Sequence, residues 1–339
     1  MTTPRFVAVL MSALPAIASA QTDATLHLPA GDGPASGKRV VLIAGDEEYR
    51  SEEALPMLAR VLAVHHGFDC RVLFHLDAAS GAIEPRERAH VVGLEHLDDA
   101  ELVVMALRFR RWADEDMARF VAYVEAGRPI VALRTSTHAF AYPRDDDSRF
   151  GDWSWDRSGG FGRRVLGETW VAHHGEHGVQ GTRGVIEPDA AAHPILRGVR
   201  DVFGPTDVYA IGALPVDATV LLRGAIVAGL TPDAAAIDEL DGAPRMPLVW
   251  TRARRIEGDR VQRVVCSTIG SADDFACEDL RRLVVNACYW AAGLEHAIPE
   301  RTRVDPVGGY APSPYGFGGH VAGITPAMLA IPPVPPRSR

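Results

Sequence analysis

Lysine is almost missing from this sequence of 339 residues. Nearly all of its 35 basic residues are arginines, spread without a basic run against 44 acidic ones. At a net charge of −9 there is no basic footprint for a phosphate backbone, which argues against a nucleic-acid partner. Cysteine is scarce as well. Cys70, Cys266, Cys277 and Cys288 show no C-x-x-C spacing, which argues against a cysteine-built zinc site. Two of them fall in predicted strands and two in a predicted helix, so buried free thiols are expected. No stretch is apolar over the ~20 residues that a membrane-spanning helix needs, and there is no internal repeat.

The N-terminus does carry a short apolar run. Arg5 precedes residues 6–17, interrupted at Pro15, and Ala18-Ser19-Ala20 follows. A charged start, a short apolar core and a small-x-small site make an export signal cleaved after Ala20. A periplasmic or secreted protein without stable membrane insertion is expected. Four segments follow from composition: the signal over 1–20, a flexible Gly/Pro/Ala/Asp-rich lead-in over 21–37, one α/β domain over 38–296, and an extended Pro/Gly-rich tail over 297–339.

The domain is organised around residues 129–140, PIVALRTSTHAF. An apolar run breaks there into a polar tip, the mark of a parallel strand buried on both faces. Residues 39–44 (RVVLIA), 70–76 (CRVLFHL) and 102–107 (LVVMAL) have the same texture. Helices are expected from near Ala54, after a Ser51 cap, to Gly67; over 114–126; and over 276–292, capped by Asp274. Further strands are expected at 182–186, 219–222, 246–250 and 263–267. Strand and helix alternate, which predicts a doubly wound, mostly parallel sheet with helices on both faces.

Ligands of such sheets bind beyond the carboxyl ends of the strands. Asp46, Glu47 and Glu48 end the first strand, Arg108 and Arg110 the third, and Arg134, Thr135, Ser136 and His138 the central one. Carboxylates opposed to guanidiniums suit a polyhydroxylated or anionic ligand. His138 is the expected acid/base, with Glu47 beside it. Trp153 and Trp155 offer a sugar-stacking platform, with burial at the sheet end as the alternative. Residues 169–178 (TWVAHHGEHG) place His173, His174 and His177 together. They contain H-x-x-E-H, but Gly175 inside the motif denies it the helix a zinc peptidase requires. The Thr135-Ser136-Thr137 turn lacks the flanking glycines of a nucleophile elbow. No cofactor is expected, a divalent metal at the histidine cluster being the alternative.

The order of PIVALRTSTHAF, VLGETWVAHH, HPILRGV, DVYA, PLVWTR, RVVCSTIGS and NACYWAAG between about Arg39 and Gly293 resembles the ThuA-like, or trehalose-utilisation, family. The resemblance implies the class I glutamine amidotransferase-like superfold, a flavodoxin-like layered sheet. It implies a role in carbohydrate utilisation, and for exported relatives with a GFGG-type tail, chemistry on 3-keto sugars. Thr135 stands where amidotransferases carry cysteine, so glutaminase activity is not expected. His173 or His174 matches the family's histidine after the VLG segment, and His193 its His-Pro motif. A small carbohydrate is therefore the expected partner, with a hydrolase or isomerase acting on sugar derivatives as the enzyme reading. The competing readings are a non-catalytic sugar-binding or scaffold module, and a metal-dependent hydrolase using His173, His174 and His177.

Overall fold

The computed structural model describes residues 24–237 and 245–330. The expected export signal over 1–20 and the last residues of the expected tail lie outside them. In chain order the elements are β1 (Leu26–Leu28), β2 (Arg39–Gly45), α1 (Ser51–His66), β3 (Asp69–Phe74), β4 (Leu102–Leu107), α2 (Asp114–Glu125) and β5 (Ile130–Leu133). There follow β6 (Trp170–His173), β7 (Gly181–Ile186), β8 (Phe203–Gly204), β9 (Tyr209–Ile211), β10 (Ala218–Val227), β11 (Met246–Arg255), β12 (Val261–Ser267) and α3 (Glu278–Ala291).

Ten strands form one sheet in the order β1-β3-β2-β4-β5-β12-β11-β10-β7-β8. The run β3-β2-β4-β5-β12 is parallel throughout. Its strands are the apolar runs of the sequence, and β4 and β5 are buried along their whole length. Beyond β12 the sheet continues antiparallel through β11, β10, β7 and β8. Helices α1 and α3 pack on one face around Leu55, Leu58, Leu62, Leu283 and Val284. Helix α2 packs on the other around Met117, Phe120 and Val124, with the two-stranded β6-β9 ribbon beside it. Among the described residues, no helix is long and apolar enough to cross a membrane.

Several local expectations are corrected. The lead-in is not bare: Leu26–Leu28 pairs with β3, and burying Leu26 and Leu28 holds that edge. Helix α1 starts at Ser51, not near Ala54, and keeps Pro56 inside. Its start is set by Arg50 in a left-handed conformation, while the Ser51 hydroxyl accepts from the Asp46 N–H at 3.0 Å. Burial of Leu55, Met57, Leu58, Val61 and Leu62 outweighs the one backbone bond that proline removes. Asp274 is no helix cap either. It is buried and accepts from the Gly270 and Ser271 N–H groups and from Thr206. All four cysteines are free, and burial pushes the Cys70, Cys266 and Cys288 thiols up.

Candidate functional site

Three non-glycine residues among those described have positive φ: Arg50 at 53°, Phe109 at 52° and Arg134 at 43°. They follow the carboxyl ends of β2, β4 and β5. A left-handed side-chain-bearing residue costs about 1–2 kcal/mol, and such strain gathers where geometry serves function. At the tip of β5 the residue in the left-handed region is Arg134, not Thr135. The strained position of a strand-to-helix turn is where an elbow nucleophile sits, and a guanidinium cannot act as one. Gly162 allows the turn to be covered closely, because a Cβ there would lie 2.2 Å from the Thr137 carbonyl oxygen.

Arg134 is buried with both terminal nitrogens engaged, while its Nε has no hydrogen-bond partner among the described residues. Nη1 donates to the Asp207 and Thr268 carbonyl oxygens at 2.6 and 2.7 Å. Nη2 donates to Asp207 Oδ1 at 2.9 Å and Tyr49 OH at 3.1 Å. The guanidinium carbon lies 4.5 Å from the centre of the Tyr49 ring and 3.8 Å from that of Tyr209, a desolvated cation between two π-faces.

Asp207 gathers the rest. His173 Nδ1 is 2.7 Å from its Oδ2, and His177 Nδ1 is 2.9 Å from its Oδ1. Burial alone would raise the Asp207 pKa. The His173 hydrogen bond, the Arg134 charge and the His177 hydrogen bond outweigh it and hold the carboxyl well below the usual range. An ionised carboxylate only accepts, so Nδ1 of His173 donates to Asp207. Nε2 of His173 makes no hydrogen bond within the described residues. His177 is engaged at both nitrogens, its Nε2 lying 3.2 Å from Glu48 Oε1.

His138, expected as the proton-transfer group, is packed into the wall of the site. It is 3% exposed, set against Phe109, Trp170 and Tyr209 with ring centres 4.9, 5.3 and 5.9 Å away. Burial, then the Arg108, Arg134 and His173 charges, push its pKa well below the ordinary value.

Glu47 is not free for chemistry. Its oxygens take Arg108 Nη1 and Arg110 Nη2, both at 2.5 Å. Asp46, Thr135 and Ser136 are scaffold rather than contact surface. Asp46 accepts from the Glu48 and Tyr49 N–H groups and from the Thr135 hydroxyl. Ser136 donates to Met105 O at 3.0 Å and accepts from Leu107 N at 3.2 Å. Burial, with the Glu47 charge second, raises the Asp46 pKa; burial also raises that of Glu48.

The two tryptophans part company. Trp153 is core, stacked on Phe161 at 6.3 Å beneath Arg164. Trp155 is on the rim, 5.6 Å from Phe109 and 5.9 Å from Trp170. Trp170 continues to His173 at 5.7 Å, so Phe109, Trp155 and Trp170 form one aromatic wall. His174 donates its backbone N–H to Val208 O at 2.8 Å and stands outside the cluster with Asp207.

Side-chain contacts therefore bring together Glu48, Arg108, Arg134, Trp155 and His173 of the expected set beyond the strand ends. His177 of the expected histidine cluster joins them, and so do Tyr49, Trp170, Asp207 and Tyr209, which the sequence reading did not place there. Only the DVYA segment hinted at Asp207 and Tyr209. A wide cavity of about 730 Å³ lies at the opposite end of the sheet, bordered by Lys38, Asp98 and Arg128. It holds none of this chemistry.

The same arrangement of elements occurs in solved structures. A ThuA-like protein from Parabacteroides merdae superposes with a TM-score of 0.50 at 16% identity, covering 83% of this chain and 95% of that one. The chain has a ThuA-like fold. A second such structure, from Bacteroides uniformis, gives a TM-score of 0.48 at 15% identity over 78% of this chain and 94% of that one. No protein-family model matches the chain, and no curated protein matches it in sequence.

Proposed function

We propose that this ThuA-like chain is an exported protein of carbohydrate utilisation that binds a sugar or an oxidised, 3-keto sugar at the carboxyl edge of its sheet and transforms it by proton transfer. The observation that carries this is the His173–Asp207–Arg134 chain beside the aromatic wall. The order of its parallel strands, second-first-third-fourth-fifth, is read as flavodoxin-like, with the crevice where that order reverses.

His173 Nε2 takes the proton from the carbon next to the ketone. The C–H pair enters the carbon–carbon bond, and the carbonyl pair moves to oxygen, where Arg108 meets the charge. Asp207 holds the imidazolium that forms, as the carboxylate does in a catalytic triad. Returning the proton to the former carbonyl carbon, while the hydroxyl proton of the deprotonated carbon passes to the enolate oxygen, isomerises the sugar; if instead the enolate pair forms a double bond to the carbon on the other side and expels its glycosidic oxygen as the ketone re-forms, the sugar is cleaved. The apolar face of the ring rests on Phe109, Trp155 and Trp170.

A panel of glucosides and their 3-keto forms tests this by thermal shift and by substrate loss. The expected result is a raised melting temperature together with consumption of the keto sugar. His173→Gln should keep the shift and lose at least ~10²-fold in rate. No shift with any sugar would remove the reading. A shift without turnover in the wild type would leave a non-catalytic binding module.

One observation favours a second reading. The ligating atoms of His173, His177 and Asp207 lie within 4.8 Å of one another, close enough to hold one divalent ion between two imidazoles and a carboxylate. These are not the three histidines of the sequence reading, since Asp207 replaces His174. Such an ion would serve as Lewis acid for the same carbonyl. Titration with Zn²⁺ should then load one equivalent and be abolished in His177→Ala. A wild-type chain that binds no divalent ion ends this reading.

A further inference from the structure

We infer that Phe317 is a ligand-contacting residue that sets specificity, presented to the crevice by a strap made of the C-terminal segment. The inference rests on the sugar reading and deepens it.

The strap is tied down on both sides of the site. Tyr310 OH donates to Ala272 O at 2.7 Å, and the Ser313 N–H to Glu53 Oε2 at 2.7 Å. The Tyr315 N–H donates to Asp273 Oδ2 at 3.3 Å, and the Gly316 N–H to Glu48 O at 2.8 Å. Further on, the Ile83 N–H donates to Ile324 O at 2.8 Å. Between these ties the chain passes over the tips of β2 and β4.

Tyr315 seats the strap. Its ring stacks on Tyr49 at 5.5 Å and lies 5.4 Å from His177. Its hydroxyl is buried without a hydrogen-bond partner. Tyr315 thus packs against the imidazole held by Asp207 and acts as a positioning residue for it.

Phe317 differs. It is 64% exposed, and its ring lies 5.0 Å from the Arg108 guanidinium, which sits 4.7 Å from Phe109 on its other side. Gly316 at φ 135° and Gly318 at φ 74° take backbone conformations that side-chain-bearing residues avoid. Gly319 leaves room for Arg50, whose Nη2 would lie 2.2 Å from a Cβ there. The Y-G-F-G-G run is therefore the backbone needed to carry one aromatic ring to the rim. A packing role does not account for that ring, since most of it stays in water. Continuity with the Phe109–Trp155–Trp170 wall through Arg108 does. An aromatic face beside a guanidinium matches a sugar, with its apolar C–H face and its ring of hydroxyls. Trp153, buried in the core, leaves that role open on this side of the crevice.

The test uses the full chain with methyl α-glucoside and its 3-keto derivative in calorimetric titrations. Phe317→Ala should weaken the better ligand by about tenfold and move the melting temperature by no more than about 2 °C, as for an exposed side chain. Phe317→Trp should keep affinity within about threefold and add a ligand-dependent emission change beyond the one that Trp155 and Trp170 give in the wild type. Unchanged affinity in Phe317→Ala, or an emission change in Phe317→Trp no larger than the wild type's while the ligand binds, overturns this inference alone. A wild-type chain that binds neither probe overturns the sugar reading beneath it, and this inference with it.

Discussion

Asp207→Asn should cost about 3–5 kcal/mol of folding stability in a denaturant titration, the range for removing one charge of a buried ion pair. The partner it abandons is Arg134, whose side chain is fully buried with Asp207. Asparagine keeps one acceptor oxygen, but it brings an NH₂ group toward donors that already point inward from Arg134, His173 and His177. One of those donors must lose its partner. The pH dependence has a definite sign. Asp207 has a native pKa well below its ordinary value, so it stabilises the fold fully above the unfolded pKa of about 4. That contribution fades only as pH falls further, toward the native pKa. The gap between wild type and Asp207→Asn should thus be flat from pH 7 to about pH 4 and narrow below that. A variant within about 1 kcal/mol of wild type at pH 7 would mean that Arg134 does not depend on this carboxylate. The site geometry built on the pair would then fail.

The unequal legibility of the molecule has a physical cause. Strands β2, β4 and β5 are covered on both faces, so their sequences are continuous apolar runs that stand out unaided. Strands β10 and β11 are half covered. Over 252–255 the partly buried Arg252 and Arg254 alternate with the exposed Ala253 and Arg255, and only the apolar cores of those strands stand out in sequence, as 219–222 and 246–250. The strands β1, β6, β8 and β9 have two to four residues each, too few for any period to register.

The site divides in the same way. Glu48, Arg108 and Arg134 are found because a strand tip is a local feature. Asp207 is not, because its importance comes from Arg134, 73 residues away in sequence. His138 was assigned the proton for its residue type. Its neutralising environment comes from Phe109, Trp170 and Tyr209, three separate segments that only folding brings together. Trp153 and Trp155 are two positions apart and look alike in sequence, yet the tight turn at Gly151–Trp153 sends one inward.

Glu47→Ala is the other change expected to have a large effect, and it separates a structural carboxylate from a catalytic one. Glu47 bridges two guanidiniums. Arg108 is partly open to solvent, whereas the Arg110 side chain is fully buried. Arg110 in turn holds the chain that crosses behind it. Its Nη1 donates to Pro85 O at 2.9 Å and Glu87 O at 2.5 Å, and its Nε to Arg108 O at 2.6 Å. Removing the carboxylate leaves a buried cation satisfied only by carbonyl dipoles, beside a second cation that keeps Glu48 at 3.4 Å. The expected loss is about 3–5 kcal/mol, read as a lower denaturant midpoint with an unchanged slope. Glu47→Gln retains one acceptor and should fall between Glu47→Ala and wild type. Ligand binding by the folded fraction of Glu47→Gln should survive, because Glu47 faces arginines rather than the crevice. If Glu47→Gln instead kept wild-type stability and lost turnover alone, the carboxylate would be acting on the substrate, and the base would have to be sought there instead of at His173.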